Sequence, residues 1–390
     1  MVDSPIELEV LELLIPFRFK YGHAKARHEG VQMIVCIAKD AEGREGLGEA
    51  VPRTYVTGET TASIQQDLPL IVERLRSQGE QEVREIFAEI EGERPHAVPN
   101  SAFCAVELAL SDLRAQQSEE PLFGGEALTY TASIGMANGA NLMGQLLIYK
   151  AMGLRHFKVK VGNEYDQDRV RMIRRVLGRE VTLFADANGA WDKEEAVRRI
   201  EDLAVEEVWA VEEPLRVKAP SENRFVSGQL CRGEEITDAH LQANAWVQAR
   251  APVPLIADES LISLPGAQRI IDQEAFQIFN VRLSKCGGFA RSEQFAALAT
   301  QAGLSFSLGA MVGESPILAN AGTAFGATVR DQLYIQGHSH RLLHGVRFVE
   351  GGPTLGRRGI CLPNVGPGAG LRLSRQALAP LIKGRMSFNL

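Results

Sequence analysis

Residues 157–186 read FKVKVGNEYDQDRVRMIRRVLGREVTLFAD. The stretch opens on an apolar run at 157–161 and continues through a helix-length amphipathic piece at 164–177. It closes on a second apolar run at 182–185. A buried strand, a helix and another buried strand make one unit of a parallel sheet. The same alternation continues on both sides. Strand candidates lie at 129–134, 157–161, 182–185, 208–211, 254–257, 278–283, 304–308 and 333–335. Further helix-like pieces lie at 193–204, 239–249 and 290–302. Eight such strands predict a closed α/β barrel of the TIM type rather than a doubly wound open sheet.

Ahead of this array the chain reads differently. Residues 6–10 alternate, 32–37 form an apolar run, and Asp40-Ala41-Glu42-Gly43 signals a hairpin into 46–49. Helical patterning follows at 60–91 and 101–115. Strands first and helices afterwards predict an α+β unit. The expected organisation is an α+β unit over 1–126 and a barrel over 127–355. A Gly- and Pro-rich segment, 356–390, packs back on the first unit. Residues 218–235 are polar and aperiodic, and read as an inserted loop at a barrel rim.

The chain has 390 residues and a formal charge of −7, with 45% hydrophobic and 23% charged residues. That composition excludes a mainly disordered chain. A mildly acidic balance argues against nucleic acid as a partner, because that binding needs a basic face. No apolar run approaches a membrane span, and the N-terminus lacks a secretory pattern. The five cysteines, Cys36, Cys104, Cys231, Cys286 and Cys361, are scattered. Neither a disulfide framework nor a zinc–thiolate site is expected, and the cytoplasm is the default compartment.

In a βα barrel the residues at the C-terminal strand ends converge on one mouth. Here those ends carry Lys158 and Lys160, then Asp186 and Asn188, Glu212 and Glu213, Asp258 and Glu259, and Lys285. Carboxylates on three consecutive strands repel one another unless a cation sits between them. Hard oxygen donors suit Mg²⁺, with Asp186, Glu212 and Asp258 as its expected ligands. Lys158 and Lys160 alternate along one strand, so both face inward. Burial and neighbouring positive charge favour a neutral amine, which can serve as a base. Lys160 and Lys285 are therefore the expected catalytic pair. One would take a proton beside a metal-bound carboxylate and the other would return one to the opposite face.

The segments Phe157-Lys158-Val159-Lys160-Val161-Gly162, Asp186-Ala187-Asn188, Val211-Glu212-Glu213-Pro214, Ala257-Asp258-Glu259-Ser260 and Asn280 to Gly288 resemble those of the enolase superfamily. The resemblance covers nearly the whole chain. It implies a capping domain and a modified (β/α)7β barrel, with Mg²⁺ held by Asp186, Glu212 and Asp258. Lysines on the second and sixth strands resemble the muconate-lactonizing-enzyme subgroup of the mandelate racemase/muconate lactonizing enzyme family. That subgroup implies proton abstraction beside a carboxylate on a small molecule, and a homo-oligomer.

Several residues are candidates for choosing the substrate. The resemblance implies a lid from residues 19–30 and 52–59, where Tyr21 and His23 lie among Arg18, Lys20, Lys25, Arg27 and His28. A basic lid would attract a second anionic group. After the eighth strand, similar dipeptide epimerases carry an Asp-x-Asp that grips an ammonium. This chain reads Gly337-His338-Ser339-His340 instead. Imidazoles can donate to an anion or an amide carbonyl, which makes His338 and His340 substrate candidates. Glu314 ends the seventh strand, and Lys158 and Asn188 complete the set. Gly287-Gly288 reads as a tight strand–helix turn, or alternatively as a phosphate cradle. The function these features imply is a Mg²⁺-dependent racemase, epimerase or cycloisomerase. A lyase that eliminates water from the enediolate is the alternative, a dipeptide epimerase of atypical specificity another, and a non-catalytic barrel the last.

Overall fold

The computed structural model describes residues 6–390 except 24–25, 80–82, 95–96, 216–224, 227–228, 231–235 and 330. Strand Glu7–His23 pairs with Ala26–Lys39, which pairs with Glu45–Ala50. The C-terminal strand Ile382–Asn389 adds to the outer edge, running antiparallel from Glu7↔Asn389. The end of the C-terminal segment thus pairs with the first sheet.

This sheet is buried on both faces because its residues alternate between two cores. Leu8, Val10, Ile34, Cys36 and Ala38 pack on one side with the helices Thr61–Gln78, Val83–Glu93 and Asn100–Gln117. Leu11, Leu13, Met33, Val35 and Ile37 pack on the other side into the core that also contains the barrel's outer strand faces. Helix Thr61–Gln78 begins at a capping box formed by Thr60 and Ser63, which satisfies two donors at its first turn.

Seven parallel strands follow in sheet order: Ala132–Ile134, His156–Lys160, Thr182–Asp186, Val211–Glu212, Leu255–Ala257, Ile278–Val281 and Ser305–Leu308. Residues 333–336 close the ring. Leu308 and Tyr130 both bridge in parallel to Ile335, with Gln336 N donating to Leu308 O and Thr131 N to Ile335 O. The result is a modified TIM barrel with an α+β cap. Phe157, Val159, Leu183 and Ala185 point outward to the helices. Phe184, Ala210, Ile256, Ile278 and Tyr334 fill the interior below the mouth, with Phe184 and Tyr334 stacked at 4.8 Å.

Two expectations are corrected. Residues 19–30 are not simply a loop: apart from 24–25 they continue the first two strands as a ribbon, pairing Tyr21↔His28 and His23↔Ala26. The side chains of Tyr21 and His23 lie outside the described residues. Within 218–235 a short antiparallel ribbon joins Phe225–Val226 to Gln229–Leu230, and the rest lies outside the described residues.

The cap is pinned to the barrel by two buried carboxylates. Glu49 accepts from Ser315 N and Leu318 N at the start of helix Pro316–Thr328. Glu107 accepts from Phe289 N and Ala290 N at the start of Phe289–Gln301. Beside it, Gly288 has φ +95°, and a Cβ there would lie 1.9 Å from Glu107 Oε2. Gly287-Gly288 therefore makes room for a carboxylate of the cap, which takes the helix N-terminus a phosphate would use.

Burial pushes both carboxyls up to about 7. A carboxyl raised on folding favours the protonated folded state. Its contribution to stability is full below the ordinary glutamate range and is lost as pH rises through 7. The unfolding free energy should therefore fall between pH 5 and pH 8, by at most about 1.4 kcal/mol per pH unit for each group, and the urea midpoint with it. Glu107→Gln keeps the acceptor and removes the charge, so its midpoint should depend less on pH. An identical slope in wild type and variant would refute this account.

Candidate active site

Strand alternation sets the site. On the second barrel strand Lys158 and Lys160 point inward, and register pairs Lys158 with Phe184 and Lys160 with Asp186 on the third. Asp186 in turn registers with Glu212 on the fourth strand. Asp258 follows the fifth. The three acids are fully buried. Above them lies a cavity of about 370 Å³, lined among others by Lys158, Lys160, Asn188, Glu259 and Arg282.

Cations of the chain hold the acids. Lys158 Nζ lies 2.7 Å from Asp186 Oδ2 and 2.8 Å from Glu212 Oε1. Burial opposes the charge of Lys158, but these two carboxylates outweigh it and hold the amine above its ordinary range. Lys160 Nζ lies 2.5 Å from Asp186 Oδ2 and donates to Asn188 Oδ1 at 2.6 Å. Burial likewise resists the charge of Asp186, and the two lysines overcome it and hold the carboxyl well below its usual range. Arg282 pairs closely with Asp258 and stands 3.6 Å from Glu212. Asn188, at φ +45°, donates to Glu259 Oε1 and so fixes the rim beside Lys160.

The donor set suits a divalent ion: three buried carboxylates with hard oxygens. Two of those oxygens, Glu212 Oε2 and Asp258 Oδ2, are met only by ion-pair contacts, from Lys158 at 2.8 Å and from Arg282. Among the described residues, no three acidic, His or Cys side chains yet converge as a cage. The ammonium of Lys158 stands between Asp186 and Glu212, and the guanidinium of Arg282 between Glu212 and Asp258.

Lys285 is placed differently from expectation. The sixth strand ends at Val281, and residues Leu283–Cys286 form one helical turn. That turn carries Lys285 beneath the mouth. Its Nζ is fully buried and donates to Asp258 O at 2.6 Å, Asn280 O at 2.8 Å and Asp258 Oδ1 at 3.1 Å. It does not line the cavity; Arg282 does. Arg282, the first residue after the strand, is the one that reaches the mouth.

The other candidates divide. His338 lines the cavity, is buried and sits at φ +63°. Its Nε2 lies 2.9 Å from Cys361 Sγ. His340 stacks on His338 at 6.0 Å but stays off the cavity wall. Glu314 turns away too, accepting from Met311 N, and burial pushes it up to about 8. Arg53 and Tyr55, from the loop after Glu45–Ala50, and Tyr130 also line the cavity. Sequence reading missed these three, although Arg53 and Tyr55 fall within the 52–59 lid segment. No described helix is long and apolar enough to cross a membrane.

Comparison with known proteins agrees with this architecture. The sequence profile of the family described as Enolase C-terminal domain-like matches residues 143–243 and 233–377. A hydrophobic dipeptide epimerase of Enterococcus faecalis is 26% identical over 286 residues, covering 71% of this chain and 73% of that protein. An N-succinyl-L-Arg/Lys racemase of Bacillus cereus is 26% identical over 325 residues, covering 80% of each. A dipeptide epimerase from Cytophaga hutchinsonii, solved with Mg and D-Ala-L-Val, superposes with a TM-score of 0.82 at 22% identity. It covers 98% of this chain and 99% of that one. With cap, barrel and strand-end acids all in place, this chain belongs to the enolase superfamily, among its isomerases.

Proposed function

We propose that the protein is a Mg²⁺-dependent isomerase that removes the proton beside the carboxylate of a small acid, with Lys160 as the base. One observation carries the reading: Lys160 lines the cavity immediately above three buried acids on the next three strands. Bound among Asp186, Glu212 and Asp258, the ion would hold the substrate carboxylate and stabilise the enediolate. Lys160 takes the proton at Nζ. Asn188 Oδ1 orients that amine, and Glu259 in turn holds Asn188. Lys158 keeps Asp186 and Glu212 together. Arg53, Tyr55 and Val56 of the cap line the cavity and would limit the access of water to it.

A second reading is favoured by Arg282. A guanidinium stays charged and accepts no proton. The amines on the cavity wall, Lys158 and Lys160, belong to one strand face. Proton departure and return on one side fit cycloisomerisation or elimination of water better than inversion. Four described cysteines are free and buried, which supports a reducing, cytoplasmic setting. The resemblance supports a homo-oligomer acting on a free small molecule.

The test is a screen of dipeptides, N-acylamino acids and cyclic or dicarboxylic acids in D₂O, read by proton NMR. The expected result is α-proton exchange that EDTA abolishes and Mg²⁺ restores. Exchange with inversion supports the racemase reading. Exchange with retention, ring closure or a dehydrated product supports the one-sided reading. No Mg²⁺-dependent exchange across the set would remove both.

A further inference from the structure

Four cationic side chains line the cavity: Arg53, Lys158, Lys160 and Arg282. Glu259 is the one acid among the described lining residues. Three of the cations are answered, Lys158 and Lys160 by Asp186 and Arg282 by Asp258. Arg53 is not. Its Nη1 donates to Pro52 O at 3.1 Å and its Nη2 to Val312 O at 2.6 Å, while Nε has no partner. No described carboxylate pairs with it. Glu314 is felt only at a distance and is raised to about 8, so it is a weak counter-charge near neutrality. Burial accordingly pushes the guanidinium below its ordinary range.

A buried guanidinium without a carboxylate is costly. This one is not loose. Its bond to Val312 O ties the cap loop to the loop after the seventh strand, beside the eighth-strand end. That end presents Gln336, Gly337, His338 and Ser339, with no acid. Burial and the neighbouring Arg341 push His338 down to about 3, so its ring is neutral. Nothing at this end of the cavity would offset a substrate ammonium. A planar fork of donors with spare charge suits a carboxylate.

We propose that Arg53 recognises a second carboxylate of the substrate, remote from the reacting one, so that the natural substrate is a dianion with no free ammonium. This rests on the reading that the cavity binds a small carboxylate beside Lys160.

The test uses the full chain with Mg²⁺ and one panel of amino acids carrying three N-substituents: succinyl, acetyl and aminoacyl. Binding is read by titration calorimetry and exchange by NMR in D₂O. N-succinyl compounds should bind at least about tenfold tighter than N-acetyl ones. The aminoacyl compounds should bind weakest, and the gap should narrow as salt rises. Arg53→Met should bring the succinyl-to-acetyl ratio toward one, and Arg53→Lys should retain part of it. Tighter binding of the dipeptides, no binding by any member, or an equal loss on all three in Arg53→Met would overturn the proposal. If Arg53→Met does not fold, the wild-type order and its salt dependence decide. Selective binding without exchange would keep the anion subsite and remove the proton-abstraction reading.

Discussion

Lys160→Ala is expected to lower Mg²⁺-dependent α-proton exchange by about a hundred- to ten-thousand-fold. The reason is position. Lys160 is the residue on the second strand nearest the mouth, at an end register shared with Asp186, and its amine lines the cavity. The fold should survive the change, because Asp186 keeps Lys158 at 2.7 Å as its counter-charge and the apolar layer beneath is untouched. Circular dichroism melts and exchange measured on the same preparations separate the two effects. A variant that still exchanges within tenfold of wild type would strip Lys160 of its role. A variant that no longer folds would make Lys160 a structural cation, and the base would have to be sought elsewhere.

Much of this site is legible because strands alternate with a period of two. Lys158-Val159-Lys160 can only be two inward amines around one outward valine if the strand is buried on its outer face, and Val159 is fully buried there. The acids at 186, 212 and 258 are found by the same rule, one barrel unit apart. What the sequence hides depends on partners far along the chain or on a single local turn. The apolar run at 278–283 gives no sign that the strand stops at Val281 and that Leu283–Cys286 coils. Running the strand on to 283 hides that Arg282, not Lys285, is the cation at its end. The ribbon through Tyr21 and His28 is polar and lacks a core-facing stripe, so its pairing follows from the long hairpin below it rather than from its own pattern. The carboxylates Glu49 and Glu107 look like surface residues in sequence. They are buried because each meets a barrel helix more than 180 residues away.

Lys285→Met should damage stability rather than the chemistry directly. The ammonium is fully buried and donates to two backbone carbonyls and one carboxylate oxygen, all within 3.1 Å. Methionine fills similar space but donates nothing. Each orphaned acceptor costs about 1–3 kcal/mol, and relief of the buried charge offsets part of that total. A net loss of about 3 kcal/mol is expected. It should be read as a lower urea midpoint, with any fall in turnover following the displacement of Asp258. The pH dependence carries a second signature. Burial pushes Lys285 down to about 8. A lysine depressed on folding favours the neutral folded state, so the wild type should gain stability as pH rises from about 8 toward the ordinary lysine range. Lys285→Met should lack that gain. If the variant instead melts as wild type does while exchange disappears, the amine acts on substrate, the helical turn opens in the working enzyme, and the two-lysine scheme returns in place of the one-sided reading.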